Sequence, residues 1–132
     1  MIPLEHLLDL AGSAIQPSYS AGPTLYVGRP EYVRTHARVR LGAGSPVPSV
    51  ALKWQGTKDP SNPNGWQDVV SRRDDNGVTE LEHTFAVPAG SVSASFSFLV
   101  DVRGILAVRL LGRSTAGIGQ AGDEVSVDGV TW

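Results

Sequence analysis

The chain has 132 residues, no cysteine and a formal net charge of −2. That length suits one domain with a single core; the missing cysteine excludes a disulfide framework, and the slight acidity argues against binding driven by phosphate neutralisation. Fifteen glycines and nine prolines, set against only 18% charged residues, favour a turn-rich β domain over a helical one.

The first segment, Pro3 to Ala11, places Leu4, Leu7, Leu8 and Ala11 at helical spacing. Pro3 suits a first helical position and Gly12 a stop, which predicts a short helix that must dock on its own sheet or on a partner. The segment lacks a basic flank, and Glu5 and Asp9 interrupt its apolar run, so it reads as part of the mature protein rather than as a signal peptide. No later stretch approaches the roughly 18 apolar residues of a membrane span. Ser13 to Pro30 reads as an extended arm, with a possible short strand at Thr24 to Val27.

From Tyr32 onward the period changes to two. Val33, Ala37, Val39 and Leu41 share one face, and Arg34, His36, Arg38 and Arg40 the other. Val50, Leu52 and Trp54 form the next inward set. Gly56 to Gly65 is dense in Pro, Asn and Asp and predicts an exposed loop, after which Trp66 to Val70 returns as a strand. Arg72 to Gly77 carries the Asn-Gly hairpin signal. Further strands are expected at Leu81–Val87, Val92–Val102, Leu106–Arg113 and Glu124–Val130. Seven or eight such strands predict an all-β fold: a single antiparallel β-sandwich, jelly-roll or Ig-like, over residues 31–132, preceded by an N-terminal arm or helix over residues 1–30.

Three groups of residues invite a functional reading. Alternate strand positions stand about 7 Å apart, so Arg34, Arg38 and Arg40 can grip carboxylates of another subunit. They can equally pair within the chain, with Glu80 and Glu82. The small outward side chains Ser91, Ser93, Ser95 and Ser97 leave a strand that needs covering, by this chain or by a neighbour. Asp59, Asn62, Asn64 and Asp68 carry oxygens, but Pro60 and Pro63 break the spacing of a calcium loop, and turn formation explains them. Trp66 can stack on a sugar ring or pack against Trp54. His6, His36 and His83 are scattered without metal spacing, and His83 reads as a hydrogen-bonded core residue. No nucleophile and base can be paired from sequence order. An enzyme is not expected, nor a cofactor or a metal.

The run Val50-Ala-Leu-Lys-Trp54-Gln-Gly, followed by Asn64-Gly-Trp66-Gln-Asp-Val69, resembles the tryptophan hairpin of small β-sandwich virion proteins of tailed phages. Phe98 to Leu110 is similar to their paired strands, in which Asp-Val-x-Gly turns into an apolar-Val-Arg run. Asp123 to Trp132 fits a final strand. The resemblance implies a structural protein located in the virion, most simply one that decorates or cements the capsid. Its partners would be the major capsid protein or other virion proteins, together with copies of itself in a homo-oligomer such as a trimer; nucleic acid and membrane are not expected. The apolar arm residues Leu4, Leu7 and Leu8 would then anchor to a partner or plug the chain's own sandwich. A tail, neck or fibre protein, or a carbohydrate-binding module using Trp66, are the alternatives.

Overall fold

A computed structural model describes residues 2–28 and 32–132. Among the described residues twelve strands follow in order: β1 (Ile2–Ala11), β2 (Ser20–Ala21), β3 (Leu25–Tyr26), β4 (Tyr32–Arg40), β5 (Val50–Thr57), β6 (Gln67–Val69), β7 (Ser71–Arg73), β8 (Thr79–Glu80), β9 (His83–Phe85), β10 (Ser93–Asp101), β11 (Ala107–Ser114) and β12 (Glu124–Thr131). They build two antiparallel sheets. The first runs β1-β12-β4-β10-β7-β8. The second runs β2-β11-β5-β6, with β3 also on β11 and β9 also on β5. The chain is an all-β sandwich.

Two-residue periodicity creates the layers. On β4, Val33, Thr35, Ala37 and Val39 are buried, while His36, Arg38 and Arg40 face water. On β5, Val50, Leu52 and Trp54 point inward; on β11, Val108 and Leu110 meet them. Trp54, Phe85, Phe98, Leu8 and Ile15 are among the largest side chains fully removed from solvent. Each aliphatic side chain so buried is worth about 1.5–3 kcal/mol. Phe85 and Phe98 stack at 5.6 Å between ring centroids, and His83 lies 5.9 Å from Phe98.

The N-terminal helix is not present. Ile2–Ala11 is instead an edge strand paired with β12, from Ile2 opposite Thr131 to Ala11 opposite Glu124. The register jumps between Leu4, opposite Gly129, and Leu8, opposite Val127, so three residues of β1 face the single residue Asp128. His6 takes φ 58° in this bulge, and its amide donates to the Asp128 carboxylate at 2.9 Å. Leu7 and Leu8 therefore both turn into the core, and Leu10 follows two residues later. The first regular turn after the strand is a single 3-10 turn at Gly12–Ala14. The residues expected to form a separate arm are thus built into both sheets. The expected boundary at residues 30 and 31 lies outside the described residues.

Strand ends also differ from expectation. Leu81, Val92 and Leu106 continue the apolar alternation in sequence but fall in the connections, and each is about half exposed. A side chain is buried only while its strand stays under the opposing sheet.

Candidate functional site

The strand order puts two of the singled-out groups on one surface. β4 lies between β12 and β10, so Arg40, Arg38 and His36 stand beside Glu124, Ser126 and Asp128 on one flank. On the other flank they stand beside Ser93, Ser95 and Ser97. The arginine face and the serine face are one continuous outer sheet. Among the described residues, every strand belongs to one of the two sheets of the sandwich.

Charge runs along this face in columns. β1 and β12 supply Asp9, Glu124 and Asp128; β4 supplies Arg34, His36, Arg38 and Arg40; β10 supplies Ser93, Ser95 and Ser97, then Leu99 and Asp101 at its far end. Among the described residues, neither Arg38 nor Arg40 has an ion-pair partner. Arg38, Arg40 and Glu124 line a small depression of about 160 Å³. Arg34 behaves differently: it pairs with Asp74 of the β7–β8 turn and lies 5.8 Å from the Trp132 ring. The expected pairing of this column with Glu80 and Glu82 is not formed. Glu82 bonds Arg113 on the second sheet at 3.0 Å, because β9 crosses to β5 and carries Glu82 with it. Asp9 holds the exposed His6 imidazole by a 2.7 Å contact and lifts it above its ordinary value of 6.5.

His36 Nδ1 lies 2.9 Å from Ser97 Oγ, with Asp128 the next residue across in the same row. The types are those of a nucleophile, a base and an orienting carboxylate, and a depression of about 270 Å³ sits above them. Nucleophilic catalysis needs the carboxylate to orient the base. The Asp128 carboxylate accepts from the His6 amide, and among the described residues no hydrogen bond joins it to His36.

Trp66, the candidate sugar platform, faces away from Trp54. Trp54 is in the core, and Trp66 lies on the outer side of the second sheet with the Arg109 guanidinium 4.3 Å from its ring. Arg109 donates to Gln55 at 2.9 and 3.0 Å, and Gln55 donates to Asp68 at 3.0 Å. The Gln55 amide holds the Asp68 carboxyl below the ordinary carboxylate range; burial opposes this, and Lys53 adds to the lowering. Tyr19 is flanked by Lys53 at 4.3 Å and Arg113 at 5.3 Å. An open groove of about 380 Å³ runs between Thr57, Lys58, Gln67, Asp68 and Ile105, beside this network. The network uses residues whose types and strand positions were legible, but not their cross-strand neighbours.

The loop after Thr57 closes on itself. Asp59 accepts from the Ser61 amide and hydroxyl, and Asn62 from the Asn64 amide. Among the described residues, no group of three or more His, Cys, Asp or Glu side chains could hold a metal ion. None of their helices is long and apolar enough to cross a membrane. Leu4, Leu7 and Leu8 do not form a docking face: Leu7 and Leu8 are in the core and Leu4 packs against it.

The fold and its surfaces define a class: a two-sheet antiparallel sandwich that offers broad sheet faces. No family model matches the sequence, and no curated protein does. Among solved structures, the chain is similar to the crystal structure of SPBc2 prophage-derived protein YomS. That likeness covers 99% of this chain and 95% of the other, with a TM-score of 0.57 and 16% identity, and it is a likeness of fold.

Proposed function

We propose that this chain is a structural protein of a tailed-phage particle, and within that class a capsid decoration or cement protein. The observation that carries the reading is the outer face of the first sheet. It is wide, rigidly built on paired strands, and holds Arg38 and Arg40 with no ion-pair partner among the described residues. Such a face suits assembly, in which weak polar contacts are multiplied by copy number on a symmetric lattice. The likeness of fold to a prophage-derived protein, end to end, supports a phage origin. The seam uses Arg38 and Arg40, with Arg34 tied to Asp74 at its margin. A tail, neck or fibre position uses the same surface and differs only in the partner.

The test is to purify particles of the phage that encodes the chain and quantify it in separated heads and tails. Presence on heads at a fixed ratio to the major shell subunit is expected. Absence from banded particles overturns the assignment, and presence on tails alone overturns the decoration role. Arg38→Glu should lower occupancy more at low than at high salt, because screening weakens the lost contacts. Saturable quenching of tryptophan fluorescence by a glycan, lost in Trp66→Ala, would favour the carbohydrate-binding alternative.

A further inference from the structure

The columns on the outer face of the first sheet are complementary to themselves. β12 carries the acidic column, with Glu124 and Asp128, and β4, its immediate neighbour, carries Arg40, Arg38 and His36 at matching heights. Neighbouring strands stand about 4.8 Å apart. Consider a two-fold axis above the sheet, parallel to the strands and midway between β12 and β4. It exchanges the two columns and keeps each row at its own height. Arg40 of one copy then lies over Glu124 of the other, and His36 over Asp128. Arg38 lies over Ser126, between those two carboxylates. Each contact occurs twice, as a closed two-fold interface requires.

The same operation places β10 over β1. β1 is the uneven strand of the sheet: it carries the bulge at residues 5–7 and the exposed His6–Asp9 pair. Opposite them come Ser97, at the height of the bulge, and Ser95, at the height of Asp9, both small side chains. A serine opposite the bulge is a fit of shape that accompanies the fit of charge.

We infer that the partner of this face is a second copy of the chain, docked through the outer surfaces of β1, β12, β4 and β10 about a two-fold axis parallel to the strands. This deepens the proposed function, on whose reading of the face as an assembly seam it rests, by naming the neighbour across that seam. Four strands about nine residues long present about 30 by 19 Å. Two copies would bury about 1,100 Å² in all, near the lower limit for a specific interface. The acid and base columns also compensate each other within each copy, so the pair is weak and salt-dependent. Its dissociation constant should rise about tenfold as ionic strength goes from about 0.01 to about 1 M, where the screening length falls from about 30 to about 3 Å.

The experiment uses the full chain in solution, with mass measured by sedimentation or light scattering, and two double variants. R38E/R40E makes both columns acidic. E124K/S126K makes both basic and leaves Asp128, opposite the bulge, untouched. Wild type is expected to pair, and each variant alone to remain monomeric with unchanged strand circular dichroism. An equimolar mixture of the two variants should pair again, because the introduced carboxylates then face the introduced amines. Wild type that stays monomeric overturns the inference, and so does a mixture that stays monomeric. Variants that still pair alone overturn it too, by placing the contact on another face. Pairing in solution by a chain missing from particles would reject the virion role and leave this contact standing; the converse result would do the reverse.

Discussion

Trp54 of the second sheet donates its indole N–H to the Thr35 hydroxyl of the first, at 3.2 Å and inside the core. It is a polar bond between the two layers at a place where the surrounding contacts are apolar. A buried donor without a partner costs more than the bond itself contributes. Thr35→Val keeps the shape and removes the acceptor. It should cost about 1–3 kcal/mol by urea unfolding. Adding Trp54→Phe removes the orphaned donor as well, so the two changes together should cost less than their sum. Strict additivity would show that the bond contributes nothing.

A second relation concerns how β1 closes onto the second sheet. Gly22 donates its amide to the Leu110 carbonyl at 2.8 Å, and a Cβ at Gly22 would stand only 2.0 Å from the Leu7 carbonyl oxygen. That neighbour is backbone held in the β1 bulge, so it cannot rotate away. Gly22→Ala should destabilise by about 3 kcal/mol or more, the upper end of overpacking penalties. Gly28→Ala is the control, because nothing lies within 4 Å of its Cβ position. Similar unfolding midpoints for the two variants would refute the close approach.

Much of this architecture was legible in the sequence because alternation survives wherever a strand is covered on one side. Tyr32–Arg40 and Ser93–Asp101 follow their patterns almost residue for residue, whereas β5 runs on to Thr57, so that Gly56 and Thr57, expected in an exposed loop, are buried, and Ala51, expected outward, is buried too. The N-terminal segment misled for a physical reason. The bulge inserts residues between Leu4 and Leu8, so Leu4, Leu7 and Leu8 acquire helical spacing while lying on a strand. What alternation cannot report is which strands are neighbours. The arginine and serine groups could be seen singly, but their union on β4 and β10 depends on long-range order. Arg34 was grouped with Arg38 and Arg40 by period, yet a turn 40 residues later supplies its partner Asp74. Trp66 and Trp54 looked like a packed pair, and the sheet plane separates them.

The same bulge sets up a contrast between two leucines. Leu8 is 2% exposed in the core, whereas Leu4 is only partly buried at its margin. Leu8→Ala should cost about 2–5 kcal/mol, the range for a buried leucine whose cavity cannot collapse. Leu4→Ala should cost markedly less. Were the segment a detachable docking helix, neither change would move the unfolding midpoint. Chemical denaturation of the two variants decides the matter, and small equal effects would put β1 outside the core.

Asp123 is a buried contributor to the acid sensitivity of the fold. Its side chain is 1% exposed and accepts from the Gly42 amide at 2.8 Å, the Ser45 hydroxyl at 2.6 Å and the Gln120 amide at 2.9 Å. Burial pushes the carboxyl up, but the Ser45, Gln120 and Gly42 donors together outweigh it, and the group sits below its ordinary 3.8. A depressed carboxyl contributes stability above its unfolded value and loses it as the pH falls through the folded value. Asp123→Asn replaces an acceptor by an amide that must face a donor, so it should cost about 1–3 kcal/mol at neutral pH. Below about pH 4 the gap between wild type and variant should narrow, because the wild type is then losing the same interactions. Urea midpoints taken from neutral pH to about pH 2.5 test this. A gap that stays constant with pH would mean that the carboxylate charge plays no part in joining the 42–45 and 120–123 connections.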